Sequence, residues 1–519
     1  MVSDPSISSS STAASAAYWE PPADAQPQQG DLNQNAIPAA TDSQGTDLVE
    51  RFLPALDPAI PVSGSSSNPS ERTQRTTPDG KRIQVDTLHT GDQATIARER
   101  TQVSGGGVSN DQLVFTTNGS ADDNVQVSQR SDGTVVVNVN GEEYDVALAQ
   151  RQELTLRVGA GDDVITVAPN VRVNVVVEGG DGNDAITVAG SGDNRIDGGA
   201  GDDTIDLSAS SGRNDAFGNA GNDTITGGSG ADVVYGGDGN DILSGGAGEN
   251  FIEGGAGNDR LDGSRGKNVL SAGVGDDTVV SGGQNRIILG QGEDRVEGAT
   301  ATDRIFAESV DAVSFAAGQR DTGQVVVNVA IDPRLGSSVT VQGSDSFRQR
   351  VEAELDLIRA LPGNSGILAE FDRAAQQGNT VTIRELANEQ NGYAQTLGRG
   401  NAEITNGRAG AGGDVIVSYN PSFHMDAFPA PSIVLFHELS HAYNGVTGTF
   451  QPGTYRGTGP DSGQVPNAER QAVGLETSAA PFDFDRNPST PATTANPDAF
   501  TENGFRDPLG YPDRPSYAL

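Results

Sequence analysis

The chain has no cysteine in 519 residues. Disulfides and thiolate metal sites are thereby excluded, so any bound metal must rest on imidazole and carboxylate groups. Lysine is almost missing as well: Lys81 and Lys267 are the only two, and arginine carries the remaining positive charge. A GC-rich genome produces that bias, and so would escape from lysine-directed modification inside a foreign cell. Hydrophobic residues make up 34% and aromatics 5% of the chain, too lean for one continuous core over this length. With 33 basic against 71 acidic residues the net charge is -38, which repels nucleic acid and anionic lipid and suits cations. No nucleic-acid partner is expected. No run of 18 apolar residues exists, so no membrane span is expected. The N-terminus lacks both a basic n-region and an apolar h-region, its first basic residue being Arg51, which argues against the general secretory route.

What the chain does have is glycine, 68 residues of it. Between Val158 and about Thr300 it recurs in a unit Gly-x-Gly-x-Asp-x-(Ile/Leu/Val), with the last Asp at 163, 184, 203, 223, 241, 259 and 277 and a weaker copy at 294. The spacings of 21, 19, 20, 18, 18, 18 and 17 residues correspond to one coil of a parallel β-roll or β-helix made from two half-turns. The residue two places after each Asp is expected to point inward. The alternate half-turns carry Asn194, Asn214, Asp232, Asn250, Asn268 and Asn285 instead. One edge is therefore an Asp column and the other mostly Asn. Carboxylates stacked about 4.8 Å apart repel unless a cation intervenes, whereas stacked amides hydrogen-bond to one another.

Residues 1–108 are rich in Ser, Ala, Pro, Gln and Thr, a composition that buries too little apolar surface to offset ordering entropy. They are expected to be disordered and to serve as an export signal or tether. Residues 109–310 then form the Gly/Asp-rich solenoid, and residues 311–519 an α+β domain. In that last part Asp345-Ser346 begins an amphipathic helix with Phe347, Val351, Leu355, Ile358 and Leu361 inward, ended by Pro362-Gly363. A short helix over Ile367 to Ala375 and a strand Thr380 to Ile383 follow. Asp414 to Tyr419 is expected to be the edge strand that holds an extended peptide by β-augmentation, with His424 just beyond it.

The chemistry concentrates in His437-Glu438-Leu439-Ser440-His441. Two imidazoles four apart share a helix face and can grip one Zn²⁺, while the intervening Glu acts on the metal-polarised water as general base. Pro431-Ser432 gives a helix start, Ile433 to Phe436 an apolar lead-in, and Gly445 a stop. A catalytic zinc needs a third ligand, and no His lies downstream, so it must be a carboxylate. Glu469, in the helical run from Asn467, is preferred over Asp461 and Glu476. Tyr455, Tyr517 and Arg514 are candidate donors to a developing oxyanion.

Two resemblances follow from these residues. The repeats resemble RTX nonapeptides, which implies structural Ca²⁺ between successive members of Asp184, Asp203, Asp223, Asp241, Asp259 and Asp277, with the Asn edge largely metal-free. HELSHAYNG, NAERQAVGLE and the terminal TENGFRDPLGYPDRPSY resemble the type III effector zinc peptidases of the M91 family from plant and animal pathogens. That likeness covers about residues 345–519 and implies a zincin-like fold. It also implies a secreted endopeptidase that cleaves a host protein in the host cytoplasm, with Glu469 matching the family's downstream Glu. A secretion chaperone is a further candidate partner. The large repeat block in front is a departure from the family. It leaves open an extracellular site of action, and the alternative of a calcium-binding structural or adhesive protein whose peptidase-like domain is inactive.

Overall fold

The computed structural model describes residues 71–76, 81–102, 108–119, 121–149, 152–386, 393–397, 402–422, 429–486 and 488–517. His424 and residues 1–70 of the N-terminal segment lie outside them. Among the described residues no helix is long and apolar enough to cross a membrane.

The solenoid is built from two long sheets whose strands alternate along the chain, 14 strands in one and 12 in the other. From Glu153–Ala160 to Val326–Asn328 the pairing is parallel and each coil stacks on the one before, giving about nine turns over residues 154–328. Each coil contributes one inward aliphatic residue per sheet. Val177, Ile196, Val234, Ile252 and Leu270 line one wall and Ile186, Ile205, Ile225, Leu243 and Leu261 the other, all at most 1% exposed. The second set stands two places after each repeat Asp, as the spacing predicts. Positive-φ glycines set how tightly the coils stack: at Gly239, with φ +138°, a Cβ would collide with the carbonyl of Gly221 in the preceding coil.

The expectation of disorder through residue 108 fails for its last third. Glu71–Thr76, Arg82–Thr90, Ala94–Gln102 and Val108–Thr117 are antiparallel strands that extend the 14-stranded sheet and close its N-terminal end. Their apolar content is low because both faces mix aliphatic side chains with charged ones: Ala94 and Ile96 share a face with Asp86 and Arg100, and Ile83 shares the other with Glu99. Each buried acid is paired: on one face Asp86 accepts from Arg72 at 2.6 Å and Arg100 at 2.7 Å, and on the other Glu99 accepts from Arg157 at 2.9 Å. The C-terminal boundary also moves. Ala312–Phe315 and Val326–Asn328, expected in the α+β domain, pair in parallel with the last repeats and belong to the solenoid.

The remaining chain packs helices around a four-stranded sheet ordered Thr340–Gln342, Val381–Glu385, Asp414–Tyr419 and Tyr393–Leu397. The expected edge strand Asp414–Tyr419 is therefore interior, parallel to Val381–Glu385 and antiparallel to Tyr393–Leu397, which forms the edge. Pairing on both sides is what makes it interior, and its Val415, Val417, Ser418 and Tyr419 are buried. Helix α1, Asp345–Ala360, is capped by the Ser344 hydroxyl accepting from the Phe347 amide, one residue before the expected cap. Its predicted inner face is fully buried. Helix α2 spans Gly366–Gln376. Helix α3, Pro431–Thr447, carries the His pair; it starts with Pro at its first turn and ends at Gly448, whose φ of 71° supplies the left-handed cap. Gly445, the expected stop, is buried inside the helix. Helices α4, Asn467–Val473, and α5, Glu502–Leu509, pack against α3.

Candidate metal centre

Helix α3 is buried from Pro431 to Val446, so its orientation is fixed by packing on every side. Phe436 stacks on Phe505 of α5 with ring centroids 4.3 Å apart, and the Ser440 hydroxyl donates to the Phe500 carbonyl at 2.7 Å. An amide relay ties α3 to α4: Asn444 Nδ2 and Gln471 Nε2 both donate to Asn496 Oδ1 at 2.8 Å. Gln471 lies two residues from Glu469, so this relay also places the Glu469 carboxylate. The result is a cluster in which ligand atoms of His437, His441 and Glu469 all lie within 4.8 Å of one another. Glu469 Oε2 is 3.1 Å from His441 Nε2 and 3.5 Å from His437 Nε2. The three residues are 5%, 8% and 4% exposed.

Behind His437 stands a residue that sequence reasoning missed. Glu502, at the start of α5 and fully buried, accepts from His437 Nδ1 at 2.9 Å. Two guanidinium groups hold it: Arg506 Nε donates to its Oε1 at 2.8 Å and Arg514 Nη1 to its Oε2 at 3.3 Å. This carboxylate fixes the tautomer and ring plane of His437 so that Nε2 faces Glu469, the usual support of a metal-binding imidazole. The one signal available in sequence was the Glu-x-x-x-Arg pair within TENGFRDPLG.

The electrostatics suit a cation. Burial alone would raise Glu469, but the His441 charge and hydrogen bonds from both imidazoles hold it well below the usual carboxylate range. Burial likewise works to raise Glu502, yet the His437 hydrogen bond and the charges of His437, Arg514 and Arg506 bring it down to about 2. Burial disfavours the charged form of His437, and the hydrogen bonds to Glu469 and Glu502 override it, lifting the imidazole to about 10. Two imidazole nitrogens and one carboxylate oxygen converge in this pocket, a donor set that suits a divalent cation.

The other predicted residues divide. Glu438 is buried on the same helix and acts electrostatically on both His437 and Tyr517. The Tyr517 ring centroid is 6.2 Å from that of His437, and burial pushes its phenol well above the usual value, so it keeps its proton. Arg514 is spent on Glu502 and on the Tyr517 carbonyl, to which Nη2 donates at 2.5 Å. Tyr455 lies under the Arg470 guanidinium, 3.8 Å from its ring centroid. Asp461 forms a buried ion pair with Arg470 and accepts from the Tyr517 amide at 3.0 Å, while Glu476 is exposed. Of the three carboxylates considered as third ligand, the fold brings only Glu469 to the imidazoles.

On the solenoid the two edges differ as their residues predict. Along the Asp edge each Oδ1 accepts the amide of the preceding repeat Asp, at 2.8 Å for Asp184 to Asp203 and 2.7 Å for Asp223 to Asp241. Each Oδ2 of Asp163, Asp184, Asp203, Asp223, Asp241, Asp259, Asp277 and Asp294 is buried with no hydrogen-bond partner. Burial raises these carboxyls, Asp184 to about 6, Asp241 to about 8 and Asp277 to about 9. A column of orphaned carboxylate oxygens is the donor set a Ca²⁺ row takes. It reaches one repeat further at each end than the six residues expected. Along the other edge Asn194 donates to Asn214 at 2.9 Å, Asn214 to Asp232 at 2.9 Å, Asn250 to Asn268 at 3.0 Å and Asn268 to Asn285 at 3.1 Å. The acids there, Asp232 and, one coil beyond Asn285, Asp303, both satisfy their Oδ2, with the Gly228 amide and the Thr300 amide respectively, each at 2.7 Å.

A domain of helices around a four-stranded sheet that gathers two imidazoles of one helix and a carboxylate of the next into a buried cluster has the donor set of a metallopeptidase. Comparison with known families narrows this: residues 336–517 match the M91 peptidase family, described as effector protein. Residues 178–209, 208–243 and 244–279 match the RTX calcium-binding nonapeptide repeat. No curated protein and no solved structure matches the chain.

Proposed function

We propose that the C-terminal domain is a zinc endopeptidase that cleaves a host protein after secretion, and that the solenoid, loaded with Ca²⁺ along Asp184 to Asp277, carries it. The observation that supports this reading best is the convergence of His437, His441 and Glu469 within 4.8 Å, backed by Glu502. His437, His441 and Glu469 would hold Zn²⁺, which supplies Lewis-acid polarisation and brings the pKa of water towards about 7. Glu438, one residue from His437 and held on the same rigid helix, takes the proton of the attacking water and returns it to the leaving amine. Tyr517, kept protonated by burial, donates to the developing oxyanion. Arg514 acts instead through Glu502, as a support for His437. The strand Tyr393–Leu397, which is the edge of its sheet among the described residues, can receive an extended peptide by strand addition. The effector description and the calcium repeats favour a secreted protein that acts in a host cell.

The test joins metal analysis to proteomics. Wild type and Glu438→Gln should both bind one zinc per chain, while the cleavage products seen in cells expressing wild type should fall by a factor of about 10² to 10⁴ with the variant. Equal product yields from the two proteins would remove Glu438 from the chemistry. A wild-type chain that binds no zinc would remove the metallopeptidase reading altogether.

A further inference from the structure

The solenoid is not a detached spacer. Its outer face over the later coils presents Phe217, Tyr235, Phe251, Val269, Ile288 and Phe306, and these share one buried core with α1 and the rest of the C-terminal domain. In the middle of that apolar face, in register between Tyr235 and Ser271, stands Glu253. It is fully buried, and neither of its carboxylate oxygens has a hydrogen-bond partner. Glu354 of α1, also fully buried, comes down on the same region. Its Oε1 accepts from Tyr235 of the solenoid at 2.9 Å and from Tyr419 of the four-stranded sheet at 2.8 Å, while its Oε2 has no partner. Three orphaned carboxylate oxygens therefore lie inside the seam between the two domains. Two ionised carboxylates in a dry interface would cost several kcal/mol each, so the seam as built calls for protons.

We propose that Glu253 and Glu354 form a proton-operated latch that seats the zinc-binding domain on the solenoid, closed while the carboxyls are protonated and released when they ionise. The surrounding charges support that direction. Burial dominates at Glu253 and drives it well above the usual value; the Ser271 side chain is the next largest influence and works against this, and Glu354, Asp356 and Asp259 add repulsion. Burial lifts Glu354 to about 8, against the lowering effect of Tyr419, Tyr235 and Arg350. Arg350 is the cation of α1 closest to this chemistry, but its guanidinium lies 3.3 Å from the Phe217 ring centroid and bonds Asp197 at 3.2 Å, so it is held on the solenoid side of the seam. Because both carboxyls are raised above their unfolded values, the stabilisation they permit is complete below the ordinary carboxyl range. It declines as pH rises and is lost through about 8. The latch thus sits near neutral pH, where a modest change of compartment moves it.

The experiment is amide hydrogen exchange of α1 peptides in the full-length chain at saturating Ca²⁺, which keeps the Asp column from contributing its own titration. In wild type the protection of Asp345–Ala360, corrected for intrinsic exchange, should fall as pH rises from about 5 to about 8, by roughly tenfold per pH unit for each raised carboxyl, and the Glu354 share should level off above about 8. Glu253→Gln and Glu354→Gln should each shrink that fall, and the double variant should abolish it. Should a Gln variant fail to fold, Glu253→Met, matched to the apolar ladder on either side, provides the same neutral control. A wild type with no fall, or variants with the same fall, would overturn the latch. The readout is independent of zinc chemistry, so its failure leaves the peptidase reading standing.

Discussion

The two edges of the solenoid share a backbone, a coil spacing and a pattern of amide-to-side-chain ladders, yet one is closed and the other is not. On the Asn edge every asparagine both donates and accepts, as in Asn268, which accepts from Asn250 at 3.0 Å and donates to Asn285 at 3.1 Å. On the Asp edge a carboxylate can only accept, so each uses one oxygen on the neighbouring amide and leaves the other buried and unpartnered. The difference between an amide and a carboxylate, repeated along a column, separates a self-sufficient spine from one that needs cations.

The largest expected effect breaks the symmetry with a chelator. Without Ca²⁺, the raised carboxyls of the Asp column keep their protons in the folded state at pH values where the unfolded chain would release them. Stability from this column is then full below about pH 4 and falls as pH rises through the folded values of about 6 for Asp184 to about 9 for Asp277. With EGTA the solenoid should melt at a much lower temperature at pH 8.5 than at pH 5. Millimolar Ca²⁺ should reverse this, each site held at 100 times its Kd adding about 2.7 kcal/mol. Melting curves by circular dichroism at the two pH values check it, and identical melting points with and without chelator would make the Asp edge as self-sufficient as the Asn edge.

A smaller effect changes sign within one variant. Asp241→Asn turns one position of the open edge into the closed kind: its Oδ1 can still accept the Asp223 amide, now held at 2.7 Å, and its buried charge is gone. In chelator at pH 8.5 the variant should be more stable than wild type by on the order of 2 kcal/mol, since a buried charged acceptor without a partner is removed. In saturating Ca²⁺ it should be less stable, having lost a ligand from two neighbouring sites. Chemical denaturation in both buffers reads the two signs, and the same sign in both would detach Asp241 from calcium.

This contrast was legible in the sequence because it is local and repeated: the Asp and Asn columns stand at fixed spacing, and the inward aliphatics follow two places behind. The same holds for His437 and His441, one turn apart, and for Glu469 in its short helix. What was not legible depends on distant partners. Glu502 is 65 residues from His437 and reaches it only because α5 folds back onto α3. Strands Arg82–Thr90 and Ala94–Gln102 looked disordered because both of their faces carry charge, and those charges make sense only once distant partners such as Arg157 on Glu99 pair them. Asp414–Tyr419 carries a strand pattern whether it ends a sheet or lies inside one; Tyr393–Leu397 pairing beyond it decides the matter. Glu253 resembled an ordinary acid in a repeat until α1 covered it.

The smallest effect tests the closed edge alone. Asn268→Ala removes the acceptor for Asn250 and the donor to Asn285, and also the hydrogen bond its Nδ2 makes to the Arg265 carbonyl at 2.7 Å. Because Asn250 Nδ2 keeps only a long bond to the Ala247 carbonyl at 3.4 Å, the loss is mostly uncompensated. It should cost about 1–3 kcal/mol, the usual penalty for leaving buried polar groups unpaired. The decisive comparison is with calcium: an edge that completes its own hydrogen bonds loses the same amount in EGTA and in saturating Ca²⁺, because no cation bridges these amides. A penalty that grows when Ca²⁺ is added would place a cation on the Asn edge as well. The two columns would then differ in affinity for the ion rather than in their need for it.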